Sequence, residues 1–186
     1  PMVIWSGTWE FTRDEIQQVT EAHRDDLLIL ASERQAETYL EIANLVDGDA
    51  YYWSSVDPDG TPGYQEKLNE MSRVIHERGG LWIAPAAPGF DARLIEGYRV
   101  IERKDGDTLI KQLNAAYASS PDAVGLISWN EFSENSHIEP SENYGMRALE
   151  VLADYQEIEL PEIITFTSSQ HPEETFEPSY GWTISL

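Results

Sequence analysis

Five predominantly apolar runs recur along the chain: Met2-Val3-Ile4-Trp5, Leu27-Leu28-Ile29-Leu30, Ala50-Tyr51-Tyr52-Trp53, Leu81-Trp82-Ile83-Ala84 and Val124-Gly125-Leu126-Ile127-Ser128-Trp129. Runs that do not alternate with polar residues are expected of strands covered on both faces, the condition of parallel sheets. An amphipathic stretch follows each run. Thr12 and Glu15 form a capping box, and Ile16, Val19 and His23 continue at helical spacing. A second helix is predicted from about Ala36 to Val46, stopped by Asp47-Gly48. Leu68, Met71 and Ile75 mark a third, and Leu109, Leu113, Ala116 and Tyr117 a fourth. The last covers roughly Tyr144 to Tyr155. Strand followed by helix, five times over, predicts an α/β fold with parallel strands.

Two architectures satisfy that pattern. One is an open doubly wound sheet. It should carry a glycine-rich phosphate turn after a strand, yet the first strand runs into Ser6-Gly7-Thr8-Trp9 with no second or third glycine. The other is part of a (β/α)8 barrel, which normally needs about 250 residues. The five units are then the last five of eight. In that case the strands near Ile4 and Leu126 are sheet edges, because their barrel neighbours are not in this chain.

The 34 acidic residues against 12 basic ones give a formal charge of −22. Such a surface repels phosphate, which argues against nucleic acid and against docking on an anionic membrane. No apolar run reaches the roughly 20 residues of a membrane span. With no cysteine, a disulfide framework, a thiolate metal site and a thiol nucleophile are excluded. The acidic, lysine-poor composition fits a secreted, cell-surface or salt-adapted protein. The chain opens on Pro1 without a basic-then-apolar leader, as expected if a leader was removed or if it begins within a longer protein.

In βα units, chemistry sits on the loops after the strands. Those places hold Trp5, Trp9 and Glu10; Ser32, Glu33 and Arg34; Tyr52 and Trp53; Asp91 and Arg93; and the run Trp129-Asn130-Glu131-Phe132-Ser133-Glu134-Asn135-Ser136-His137-Ile138-Glu139-Pro140. Five of the six tryptophans lie in or just after strands, which favours a site over core packing alone. Aromatic rings suit the C–H faces of sugars, and carboxylates serve sugar hydroxyls and acid–base chemistry. Glu131 and Glu134, three apart, face one way if the chain turns helically there. Paired carboxylates drive one pKa up and leave the other ionised, the asymmetry a glycosidase uses. The competing reading is a solvated helix start rich in glutamate. Asp57-Pro58-Asp59-Gly60 lacks the later ligands of a calcium loop, and no serine sits in a Gly-x-Ser-x-Gly elbow. His23 and His76 read as surface residues. No metal and no cofactor is predicted.

The segment from Ile127 to Pro140 resembles the signature at the last barrel strand of glycoside hydrolase family 99, the endo-α-1,2-mannosidase and mannanase family with its related bacterial polysaccharide-locus proteins. That signature reads Ser-Phe-Asn-Glu-Trp-x-Glu-Gly-Thr-Gln-Ile-Glu-Pro. Trp129 is similar instead to the α-1,3-glucanase family 71 pattern, Trp-Asn-Asp-Tyr-x-Glu. Pro88-Gly89-Phe90-Asp91-Ala92-Arg93, Asp49-Ala50-Tyr51-Tyr52-Trp53-Ser54 and Asn143-Tyr144-Gly145 resemble further stretches of the family, in the same order. The resemblance implies Glu134 as general acid/base and Glu131 as its partner, acting on the sugar 2-hydroxyl or as nucleophile. Either route retains the anomeric configuration. Asn130, Trp129, His137, Glu139, Tyr52, Trp53, Arg93 and Tyr144 would line the sugar site. Asn135-Ser136-His137 replaces Gly-Thr-Gln, so sugar contacts are expected to differ.

The combined reading takes residues 1–156 as a partial (β/α)8 catalytic domain and 157–186 as an acidic linker or the start of a further β element, with Ile163-Ile164-Thr165-Phe166 its strand-like run. The expected function is retaining hydrolysis of an α-linked polysaccharide, mannan-like or glucan-like, with the missing N-terminal half of the barrel as a partner. The alternatives are a non-catalytic carbohydrate-binding protein and a surface-assembly protein on the same barrel.

Overall fold

The computed structural model describes residues 1–160 together with 166–167 and 175–176. Five parallel strands form one curled sheet in the order β1 (Met2–Ile4), β2 (Leu28–Ala31), β3 (Gly48–Ala50), β4 (Leu81–Ala86), β7 (Ala123–Leu126). Between β4 and β7 a small antiparallel hairpin pairs β5 (Phe90–Asp91) with β6 (Val100–Ile101). Helices α1 (Arg13–Glu21), α2 (Ala36–Ile42), α3 (Tyr64–Glu77), α4 (Asp107–Ala118) and α5 (Arg147–Tyr155) connect or follow the strands. Beyond them β8 (Phe166–Thr167) pairs antiparallel with β9 (Thr175–Phe176). Of the predicted run 163–166, only Phe166 falls within the described residues.

The capping box forms as expected: Thr12 Oγ1 accepts from Glu15 N–H while the Glu15 carboxylate accepts from Thr12 N–H at 2.8 Å. The main core lies between sheet and helices. There Ile29, Ala31 and Trp82 meet Tyr39, Ile42, Leu68, Met71 and Ile75. Trp82 is fully buried and its indole N–H donates to Ser119 Oγ at 2.9 Å. On the opposite face of the sheet, Leu30, Ala50 and Ile83 pack with Leu81. A further cluster of Leu109, Leu113, Ile138, Ala148 and Val151 seats α4 and α5 under the loop after β7.

The outer strands β1 and β7 are the sheet's two edges, and they are not paired to each other. Met2 is 55% and Ile4 50% exposed, so β1 lacks the covering that β2 to β4 have. Among the described residues no helix is long and apolar enough to cross a membrane.

Several elements differ from the sequence reading, among them the fifth strand, which is Ala123–Leu126 and does not run on to Trp129. The third strand is Gly48–Ala50, not 50–53. Tyr51 leaves the ladder to pack into the helix-side core, and Tyr52 is partly exposed. Helix α2 ends at Ile42, after which Leu45 and Val46 still pack in the core from a turn. The predicted long loop from Pro85 to Gly106 contains the β5–β6 hairpin, whose two-residue strands are too short for a periodic signal.

Among the described residues two acids are buried, Glu33 and Asp49. Asp49 lies in β3, and its Oδ2 accepts Glu33 N–H at 2.6 Å, which satisfies the chain as it leaves β2. Burial raises its carboxyl well above the ordinary aspartate value, against the lowering effect of that hydrogen bond. Two of the three lysines fasten the turn-rich segment after β3: Lys104 to Asp57, and Lys111 to both Asp59 and Asp107. Asp57 Oδ1 also accepts Asp59 N–H, so this segment is an Asx turn.

Candidate functional site

The loop after β7 folds back on itself. Ser128 N–H donates to Ser136 O, and Ile138 N–H and Glu139 N–H donate to Ser128 O and Trp129 O at 2.8 Å each. These bonds make 128–129 and 136–139 a stem, with 130–135 as its tip. Within the tip, Glu131 N–H donates to Ser128 Oγ and Asn135 N–H to Phe132 O. Glu131 and Glu134 are therefore set by a series of turns rather than by a helix. Ser133 Oγ donates to a Glu131 carboxylate oxygen.

Both glutamates are half-buried. Burial raises the Glu134 carboxyl above the ordinary glutamate value, and the neighbouring Glu131 charge raises it further. The Tyr52 hydroxyl is also raised, first by burial and then by the charges of Glu134 and Glu131. Three of the predicted residues thus share one electrostatic neighbourhood, contributed by the loops after β3 and β7. Trp129, Asn130 and Phe132 are exposed on the same loop. Such a group can hold a proton on Glu134 for a leaving oxygen and offer ring faces to a sugar. Among the described residues, no three or more His, Cys, Asp or Glu side chains converge as metal ligands.

The remaining predicted residues have different surroundings. Trp53 is half-buried on the helix side, tilted against Tyr51 at 5.5 Å, edge-on to Tyr64 at 5.3 Å, with Lys67 over its ring. Arg93 is exposed on the short 3-10 turn after β5 and forks onto Asp91, which it pulls down to about 2. Asp91 N–H in turn donates to Glu134 O at 2.7 Å, so the hairpin is fastened directly to the candidate acid. Glu139 is half-buried in the stem. Tyr144 accepts from Asn135 Nδ2 at 3.0 Å.

His137 is only 4% exposed. Its ring lies 4.2 Å from Phe132 and 5.7 Å from Tyr144, with Nε2 3.2 Å from Ser141 Oγ. It supports Phe132 from behind rather than presenting itself on the surface. Burial, helped by the Arg103 charge, pushes His137 down to about 4. Folding therefore favours the neutral ring. Its contribution to stability is present above the unfolded value of about 6.5 and is lost as pH falls toward 4. A His137→Gln variant is expected to show a flatter decline in thermal midpoint between pH 6.5 and 4 than the wild type. Parallel declines would place the acid sensitivity elsewhere.

Arg103 was not predicted. Its Nη2 donates to Asn135 O at 3.1 Å and to His137 O at 2.6 Å, and its guanidinium stacks 4.1 Å from the Tyr144 ring centroid. These partners lie 32 and 34 residues away in sequence, so no local pattern announces them.

Parallel strands with helices on one face define a partial (β/α)8 barrel, and the two glutamates sit on the loop after the last strand of its sheet. Solved structures with this fold include two of the GH99 endo-α-mannosidase from Bacteroides thetaiotaomicron. One, in complex with bis-tris-propane, is 17% identical with a TM-score of 0.69, covering 84% of this chain and 58% of that one. The other is 16% identical with a TM-score of 0.68, covering 87% of this chain and 56% of that one. The chain thus spans little more than half the length of the structures it matches, and the likeness is one of fold. No protein-family model and no curated protein sequence matches it.

Proposed function

We propose that this half-barrel is the catalytic portion of a retaining glycoside hydrolase acting on an α-linked polysaccharide, mannan-like or glucan-like. The observation that carries the reading is the pair of half-buried glutamates, Glu131 and Glu134, set by turns at the tip of the loop after β7, where burial and the Glu131 charge raise the Glu134 carboxyl. Glu134 protonates the departing glycosidic oxygen and then, as the carboxylate, draws a proton from the incoming water. Glu131 is its partner, either on the sugar 2-hydroxyl or as nucleophile. Tyr52, Trp129 and Asn130 contact the sugar. The mannosidase identity of the structures with this fold supports a mannan-like substrate. The open edges at β1 and β7 are where the rest of the barrel would pair. The setting is extracellular or at the cell surface, in line with the acidic surface.

The test is reducing-end release from a panel of α-mannans and α-glucans by the product of the full gene, with glycan binding measured in parallel. Release from one class is the expected result and names the substrate. Binding without release from any member would overturn the hydrolase reading and make the exposed aromatics a glycan-binding surface. Neither binding nor release would leave the barrel as a scaffold for surface assembly.

A further inference from the structure

The proposed chemistry needs Glu134 held in one place and kept partly from water, and the backbone around it is unusually dependent on a single side chain. We infer that Arg103, outside the sugar site, is the positioning residue for Glu134; this rests on the hydrolase reading above. Arg103 is 9% exposed and follows directly on the β5–β6 hairpin. Its own backbone is fixed, because Arg103 O accepts Gly106 N–H at 3.0 Å as the chain enters α4. From that anchor Nη2 bonds the carbonyls of Asn135 and His137, the first and third residues after Glu134. The guanidinium plane lies on Tyr144, whose hydroxyl accepts from Asn135 Nδ2. Two carbonyls and one side-chain amide of the loop are thus held by one stacked pair.

The surroundings are shaped for this arginine. At Gly89 a Cβ would come within 2.7 Å of Arg103 Cγ, so the chain entering the hairpin has no side chain where the arginine passes. The same hairpin donates Asp91 N–H to Glu134 O. The chain at Glu134, and at the first and third residues after it, is therefore fastened by groups of the loop after β4. The Arg103 guanidinium remains charged at neutral pH even though burial pushes it down to about 10. Charge-assisted bonds to carbonyls are the stronger kind, and this one replaces the water that the two carbonyls would otherwise recruit. Lysine carries the charge but has no plane to stack on Tyr144, and it ends short of the Nη2 position.

The experiment compares wild type, Arg103→Lys and Arg103→Ala in the full-length protein, with and without low millimolar guanidinium, and with ammonium as control. Two readouts are taken: kcat and KM on the substrate found above, and titration of the Glu134 side-chain carboxyl by carbon NMR. Besides burial, the neighbouring charge bearing on that titration is Glu131, which is retained in every variant. Loss of positioning is expected to cost about 10²-fold in kcat with KM little changed. The Glu134 titration should move down toward the ordinary glutamate value as water enters. Guanidinium, but not ammonium, should restore both in Arg103→Ala, and Arg103→Lys should lie between. A merely structural arginine would lower kcat only with the folded fraction, leave the Glu134 titration of folded protein unchanged and show no selective rescue; that result overturns the inference. If Arg103→Ala fails to fold, the lysine variant decides by the same two readouts. If the wild type has no turnover, the hydrolase reading fails by itself, and the carboxyl titration still decides whether Arg103 positions Glu134.

Discussion

Replacing Glu134 with glutamine is expected to lower turnover by about 10²- to 10⁴-fold, the usual worth of a positioned general acid–base. At 10³-fold this is about 4 kcal/mol of transition-state stabilisation. The loss should be smallest for substrates with an acidic leaving group, which departs without a proton. Affinity for the glycan should change little, because glutamine keeps the shape and the acceptor oxygen. The substitution should not unfold the protein. Glu134 is raised in the folded state, so its favourable effect on stability exists below the unfolded value and is lost as pH rises through the folded one. Once ionised, the native glutamate is a half-buried charge beside Glu131, and a neutral isostere removes both burdens. The thermal midpoint of Glu134→Gln should equal or exceed that of the wild type. Wild-type kcat should fall on the alkaline side as Glu134 loses its proton, and that limb should disappear in the variant. Undiminished turnover in a folded Glu134→Gln protein would move the acid role to another residue.

The parts of this molecule that sequence reveals are those whose physics is local. Leu28–Ala31 and Leu81–Ala86 are apolar on consecutive positions because each face of the sheet meets a separate cluster. Thr12 and Glu15 announce α1 because a capping box is a four-residue affair. The edge positions of β1 and β7 follow from counting units against a closed barrel. The misplaced third strand has the opposite lesson. Tyr51, Tyr52 and Trp53 have high strand propensity, yet propensity measures fit to a half-buried surface and not the ladder itself. The ladder falls instead on Gly48, Asp49 and Ala50, where Gly48 permits close approach and the buried Asp49 carboxyl accepts Glu33 N–H. At the site, the spacing of Glu131 and Glu134 suggested two side chains on one helical face, whereas a series of turns sets both residues. What holds that loop was hidden. Arg103 and Asp91 reach it from the loop after β4, and contacts across 32 or 34 residues leave no periodic trace. His137 was legible as a polar group near the acids, but only packing shows that Phe132 and Tyr144 enclose it.

Substituting Gly48 with alanine is expected to destabilise the fold by about 4 kcal/mol or more, at the extreme end of single substitutions. Gly48 pairs with Leu30 on one side and Leu81 on the other, in the middle strand of the five. A Cβ there would lie 2.1 Å from Leu81 O and 2.6 Å from Leu81 N, both backbone atoms of the neighbouring strand. No rotamer change can relieve such a contact. Only a shift of β3 against β4 can, and that breaks the ladder on which the core between sheet and helices is built. Gly125 supplies the control, because its added Cβ would meet the Ile83 side chain at 3.2 Å and a small rotation of that side chain suffices. Gly125→Ala should cost about 1 kcal/mol. Denaturant unfolding of the two variants in the full-length protein separates the cases. With total stabilities of about 5–15 kcal/mol, Gly48→Ala should lose a large share of the fold's margin. The effect also reaches the site, because Tyr52 leaves β3 four residues after Gly48 and meets the field of Glu131 and Glu134 from there. If Gly48→Ala were no less stable than Gly125→Ala, the close pairing of β3 with β4 would be wrong, and with it the placement of Tyr52 beside the carboxylates.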